Sequence, residues 1–350
     1  MVVGRLGRLG AGLGALAILA IVPVLLPGDW KNIAVGGILA VSVLYAFAVL
    51  SVIFLTGYVG QVSFCQATFM GIAAFGTAAL ANHGVNYFIA AAVGVVLAFA
   101  LGIAVGIPAL RLRGILLAIV TVGIALSFDY FFYLDPTFGW FNGGLSGWKV
   151  EEATLGPLSF NNLDFSHLIL IYWVLLGLFA LVSVLVVNIH DSGSGRRFRA
   201  IRDSDVAAST MGVDLTRYKL LAFGISAAIA GVGGAFFPIV EGSVTKQPFD
   251  FFHSLSLAAL AVLLGIRFIP AALLGGVFLQ LLPYLIQKVE EGLNHQEIGL
   301  TWFNAVLGAL LVLQLILYPD GVWGENARIV QHALLRFGPS EDASRGAAAS

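Results

Sequence analysis

Apolar runs of about 20 residues recur along the whole of this chain, each long enough to cross a hydrocarbon layer as a helix. Lipid offers no partner to a backbone N–H or C=O, so only helices and closed barrels can span it. The alternating segments of a barrel, about ten residues long, are missing here. With 59% of its 350 residues hydrophobic and 11% charged, the chain carries less than half the charge of an ordinary soluble domain, roughly 25%. An all-α, polytopic transmembrane helical bundle is expected.

Placed on the apolar runs, ten spans fall at 11–27, 33–55, 67–82, 87–109, 114–134, 166–188, 219–240, 254–266, 269–287 and 301–318. Cytoplasmic loops are enriched in Lys and Arg, which tests the count. With the N-terminus inside, 14 of the 18 basic residues share one side: Arg5, Arg8, Arg111, Arg113, Arg196, Arg197, Arg199, Arg202, Arg217, Lys219, Arg267, Arg328, Arg336 and Arg345. Lys31, Lys149, Lys246 and Lys288 fall on the other. Both termini are therefore expected in the cytoplasm. Arg5 and Arg8 ahead of an apolar run imitate a secretory signal, but no small-x-small site precedes "PGDWKN" and more spans follow, so the first helix is expected to stay uncleaved. One membrane domain is expected over 1–324, with a disordered cytoplasmic tail over 325–350. A single cysteine, Cys65, excludes an intramolecular disulfide.

Two of the spans are imperfect. The run 254–266 is short and ends in Arg267, and "TGYVGQVSFCQATFMG", 56–71, sets glycine, glutamine, serine and threonine where a span would carry leucine. Transport proteins use interrupted helices near the midplane, where released backbone groups and polar side chains line a solute path. Gly57, Gly60 and Gly71 permit close approach, while Gln61, Ser63, Gln66 and Thr68 need partners in a dry bundle. The same residue types also serve purely as interhelical packing devices, and composition leaves both readings open.

The loop 190–218 holds "RRFRAIRDSDVAASTMGVDLTRYK". Asp203 or Ser204 can cap a helix over 205–211, and Gly212 suits a left-handed C-terminal cap, so a short helix between two spans is expected as a docking element. Its arginines would also fix topology with nothing bound. The loop 135–165 is long enough to hold local structure.

No lysine follows a glycine, so the chain lacks the Gly-Lys of a phosphate-binding loop. No catalytic residues and no metal site are expected: the histidines His83, His167, His190, His253, His295 and His332 are scattered, without a pair at ligand spacing. An intramembrane enzyme would need clustered groups. A stand-alone ion-coupled transporter would want titratable groups at mid-membrane, where only Asp129 and Arg267 come near a span, close to its ends.

Taken in order, "GYVGQVSFCQATFMGIAAF", "RLRGILLAIVTVGIAL", "NGGLSGW", "RRFRAIRDSDVAASTMGVDLTRYKLLAFGISAAIAGVGGAF" and "LGALLVLQLILYPDGVWG" resemble the blocks of the branched-chain amino acid ABC transporter permeases of LivM type, from about Asn32 to Gly324. Departures are Cys65 where glycine is usual, Leu126 where an acid is common with Asp129 nearby, and "LAVLLGIRFIPAALLGG" where more glycine is usual.

The resemblance implies one membrane subunit of an ATP-driven importer in a bacterial-type cytoplasmic membrane. Its partners would be two cytoplasmic ATPase subunits, a second homologous permease, an external solute-binding protein and membrane lipid, with no nucleic acid. ATP would bind the partner subunits, and no cofactor this chain. The resemblance gives Arg199, Arg202, Asp205, Ala207, Ala208 and Gly212 a role in coupling to the ATPase, and places Gly57, Gly60, Gln61, Ser63, Gln66 and Thr68 on the translocation path. Branched-chain amino acids are the implied solute; relatives carry urea, short amides or other amino acids.

Overall fold

The computed structural model describes residues 38–293 apart from 113, 134, 151–153, 156, 157, 160–164 and 267, together with 308, 309 and 313. The expected span 11–27, nearly all of 301–318, Arg267 and the tail lie outside the described residues.

The first described helix, α1 (Ala40–Val52), continues through a π-helical turn, Ile53–Tyr58, so that this span ends three residues beyond the expected 55. Every residue of Ala40–Val52 is buried. A helix apolar all round has no face to offer water and is stable only when other helices enclose it. Next in the chain come α2 (Gln66–Asn82), α3 (Tyr87–Ala109), started by the Asn86 side chain accepting from the Phe88 N–H, and α4 (Ile115–Ser127) with its π-helical extension Phe128–Phe132. After the connection, which contains the short α5 (Gly139–Asn142), come α6 (Phe165–Asp191), α7 (Gly193–Asp203), α8 (Asp205–Thr210) and α9 (Leu215–Ala235) with its continuation α10 (Phe237–Glu241). Two further membrane helices follow, α11 (Phe251–Leu264) and α12 (Pro270–Leu293).

Five helical stretches among the described residues are long and apolar enough to cross a membrane: Ala40–Tyr58, Tyr87–Pro108, Ile115–Phe132, Ile169–Asp191 and Leu215–Glu241. The first is 94% enclosed by protein and the third only 22%, which puts α1 at the centre and α4 on the rim. The helix α2, expected as a full span, has 17 residues and begins inside the bundle.

Close packing depends on missing side chains. A Cβ on Gly234 of α9 would lie 2.7 Å from the Met70 carbonyl carbon of α2, and one on Gly276 of α12 would lie 2.7 Å from the Ala46 amide nitrogen of α1. Backbones this near to one another gain dispersion contacts that larger residues would prevent.

The connection after α4 is structured, as its length suggested. Asn142 is buried and donates to the carbonyls of Phe132 and Asp135, the Trp148 indole donates to Phe141 O, and β1 (Trp148–Lys149) pairs antiparallel with β4 (Ser243–Val244). A second two-residue pair joins β2 (Thr154–Leu155) to β3 (Leu158–Ser159). Hydrogen bonds from the Thr137 hydroxyl and amide hold the Asp135 carboxyl below its usual range. The "NGGLSGW" segment thus clasps the link between α10 and α11.

Replacing Gly234 by alanine is expected to force α9 and α2 apart, costing about 1–3 kcal/mol through overpacking. Gly123→Ala on α4, where nothing lies within 4 Å of the new methyl, should be close to neutral. Melting temperatures of the two variants in mild detergent check the contrast.

Candidate functional site

The polar break is a chain reversal inside the bundle. After the π-helical turn and Val59, residues 60–65 carry no regular structure and lead from the end of α1 to the start of α2 beside Ser51. Gly60 has φ +77°, and a side chain there would also meet Arg202, whose Cγ would lie 2.6 Å from its Cβ. The Gly60 and Gln61 amides donate to Thr56 O and Leu55 O, and the Thr56 hydroxyl donates to Gln61 O. Gln61 and Ser63 are buried, and the Ser63 hydroxyl accepts from the Cys65 amide. Cys65 itself is fully buried and donates through Sγ to Thr121 O.

At the start of α2, Gln66 Oε1 accepts from the Ser51 hydroxyl of α1 at 2.8 Å, and the Ser226 hydroxyl of α9 reaches Ser51 O at 2.9 Å. Three helices thereby meet in one buried polar knot. Beside it the Ala67 amide donates to the Ser254 hydroxyl of α11 at 3.0 Å, the Phe64 amide to the Thr121 hydroxyl of α4, and the Tyr133 hydroxyl to Thr68 O. Gln66 and Thr68 are 1% and 0% exposed, yet Gln66 Nε2 and Thr68 Oγ1 have no hydrogen-bond partner among the described residues. Buried polar atoms are nearly always paired, so two orphans in one helical turn single this turn out.

The arginine-rich segment is helical over more of its length than its sequence suggested. Capped by Ser192, α7 fills residues expected to be loop because Phe198 and Ile201 fall on one face and are buried, Phe198 against Phe54 of the π-helical turn. Ser204, one of the two expected caps, accepts from the Ala207 amide and opens α8. Gly212 at φ +79° closes it, with the Val213 and Gly212 amides donating to Ala208 O and Ser209 O.

Within the expected coupling set, Ala207 and Gly212 are exposed, Arg199 is half-buried, and Ala208 is 1% exposed, facing its own bundle. The apolar residues on the outer face of α8 are Val206, 63% exposed, and Met211, 80% exposed. A partner docking on α8 would meet these rather than Ala208.

Among the contacts that join this segment to the membrane helices, two reach its expected coupling residues. Arg202 Nη1 donates to Gly57 O at 3.1 Å, so the expected coupling and translocation residues touch. Asp205, at the first position of α8, pairs with Lys219 of α9 at 2.8 Å, with side chains 9% and 2% exposed. Sequence reasoning took Lys219 for a topological charge. Its partner lies 14 positions away, and only folding α8 back onto α9 brings them together. Ser51, Thr121, Ser226 and Ser254 were likewise passed over; the available signal was an isolated hydroxyl in an apolar run, which needs a partner somewhere.

Residues 34–315 match the family described as the branched-chain amino acid transport system / permease component. The chain belongs to this family. Similar proteins include the high-affinity branched-chain amino acid transport system permease proteins LivM of Salmonella typhimurium (28% identical over 81% of this chain and 69% of the relative) and of Escherichia coli K12 (27% over the same shares). LivH of Salmonella typhimurium is 32% identical over 42% of this chain and 44% of its own. No solved structure matches the chain. The chain is thus a multi-pass membrane permease of a transport system, and its relatives are transport subunits rather than enzymes.

In this permease, Lys219→Met strands the buried Asp205 carboxylate without its close cation and is expected to cost about 3–5 kcal/mol. The double variant Asp205→Asn, Lys219→Met removes both charges and should recover most of that loss. Melting of the three proteins in detergent tests the pair as a double-mutant cycle.

Proposed function

We propose that this chain is one of two homologous permease subunits of an ATP-driven importer of branched-chain amino acids in a bacterial-type cytoplasmic membrane, with both termini in the cytoplasm. ATP is hydrolysed on two separate cytoplasmic subunits, and an external binding protein delivers the solute. Family membership supports the permease role, and the similarity to both LivM and LivH fits a pair of related permeases. The absence of a Gly-Lys phosphate loop in the chain fits ATP bound elsewhere.

The observation that carries the mechanism is the hydrogen bond from Arg202 to Gly57 O. In this reading the ATPase holds α8 by its exposed Val206, Ala207, Met211 and Gly212. Closure of the ATPase pulls α7 and α8 together, Arg202 draws on the chain reversal at 57–60, and the Asp205–Lys219 pair draws on α9. Because Ser51, Gln66 and Ser226 sit on α1, α2 and α9, relative motion of those helices rearranges the polar knot. The knot and residues 57–68 then form part of the solute path, opened and closed by the same displacement.

Met211→Glu places a charge on the outer face of α8 without touching the bundle. Uptake of leucine by membrane vesicles with the complete transporter is expected to fall roughly ten-fold or more, the consequence of about 1.4 kcal/mol or more lost at a docking hot spot. The amount of folded permease should not change. Normal uptake in that variant would remove α8 from the coupling path.

A further inference from the structure

The interior ends of α2 and α11 meet nearly head to head, since the Ala67 amide of the first turn of α2 is hydrogen-bonded to Ser254 in the first turn of α11. Two helix N-termini so placed make a region of positive potential. Two carboxylates answer it: Asp250 caps α11 by accepting from the His253 amide, and Asp129 is the more buried of the pair. Asp129, on the π-helical extension of α4, is 4% exposed and accepts through Oδ2 from the Phe251 amide of α11 at 2.9 Å. Its neighbour one turn on, Tyr133, donates to Thr68 O, which ties this end of α4 to the turn that holds the orphaned Gln66 Nε2 and Thr68 Oγ1.

Oδ1 of Asp129 has no hydrogen-bond partner among the described residues. The neighbouring basic side chains are otherwise engaged: His253 lies 2.8 Å from Asp250, and the Lys246 ammonium lies over the Tyr130 ring, 5.4 Å from its centre. A buried carboxylate oxygen with no donor is costly, and an acid retained at such depth is a functional candidate. The group best suited to it is a small cation with several N–H donors.

We propose that Asp129 Oδ1 binds the primary ammonium group of the transported solute at the junction of α2 and α11, making Asp129 a specificity-determining residue that selects amines and zwitterions over carboxylic acids. The proposal rests on the import function proposed above and deepens it. The same junction suits a zwitterion, because the α2 N-terminus with Gln66 Nε2 and Thr68 Oγ1 supplies donors for a carboxylate while Asp129 supplies the acceptor for the amine.

The test uses the assembled transporter with its ATPase subunits, second permease and binding protein in proteoliposomes. Asp129→Asn keeps an oxygen to accept from the Phe251 amide but loses the charge, and Asp129→Glu keeps the charge. Leucine uptake is expected to drop about ten- to a hundred-fold in Asp129→Asn, with melting temperature unchanged and partial rescue in Asp129→Glu. Thermal shift adds the chemical class: isoamylamine and leucine should stabilise the wild-type complex, 4-methylpentanoate should not, and the shift by isoamylamine should vanish in Asp129→Asn. Wild-type uptake in Asp129→Asn, an unchanged amine shift in that variant, or a fall in uptake matched by a fall in melting temperature would each overturn the assignment while leaving the importer reading intact. A wild-type complex that hydrolyses ATP but imports no amino acid overturns the importer reading itself, and this assignment with it.

Discussion

A backbone break inside a lipid-embedded bundle must find a partner for the amides and carbonyls it releases, and the structure is organised around meeting that demand between residues 57 and 68. Each surrounding element contributes. Arg202 of α7 satisfies Gly57 O, Thr121 of α4 the Phe64 amide, Ser254 of α11 the Ala67 amide, and Tyr133 the Thr68 carbonyl. Because lipid offers no hydrogen-bond partner, these bonds have no substitute from the bilayer, and helices distant in sequence are drawn to one locus.

That locus joins two otherwise separate regions. The arginine-rich helices reach it through Arg202 and, by way of the buried Asp205–Lys219 pair, through α9 and Ser226. From the other end of the bundle α11 reaches it, held at its N-terminus by Asp129 and Asp250, while the paired strands β1 and β4 tether the link before it. Motion imposed at one end therefore has a short physical route to the polar centre, made of groups with few alternative partners.

The arrangement also explains why α1 can be uniformly apolar and still specific. Its hydrocarbon surface sets no orientation, so register falls to Ser51 in the polar knot and to close contacts such as Gly276 against Ala46. Polar bonds between membrane helices are individually modest, about 0.6 kcal/mol on average. Several converging on one turn of α2 give a single arrangement an advantage over slipped ones.

Much was legible in the sequence. The apolar runs located the described membrane helices because a bilayer fixes their length, and the Ser204 and Gly212 signals located α8 because capping is a local matter of side chain and φ. The break at 56–71 stood out because polar residues are costly in lipid wherever they point. Other features depended on the fold. A run of arginines looks alike in a loop or a helix, and α7 formed because Phe198 found Phe54 to pack against. Ala208 turned inward, leaving Val206 and Met211 outside, because the docking of α8 on its neighbours chose which face to bury. The sequence by itself determined that this is a bundle of membrane helices with one conspicuous flaw, since hydrophobicity and capping act over a few residues. Only the tertiary structure decided that the flaw is where Arg202, Thr121, Ser254 and Tyr133 converge, since a buried hydrogen bond names its partner by position in space and not by distance along the chain.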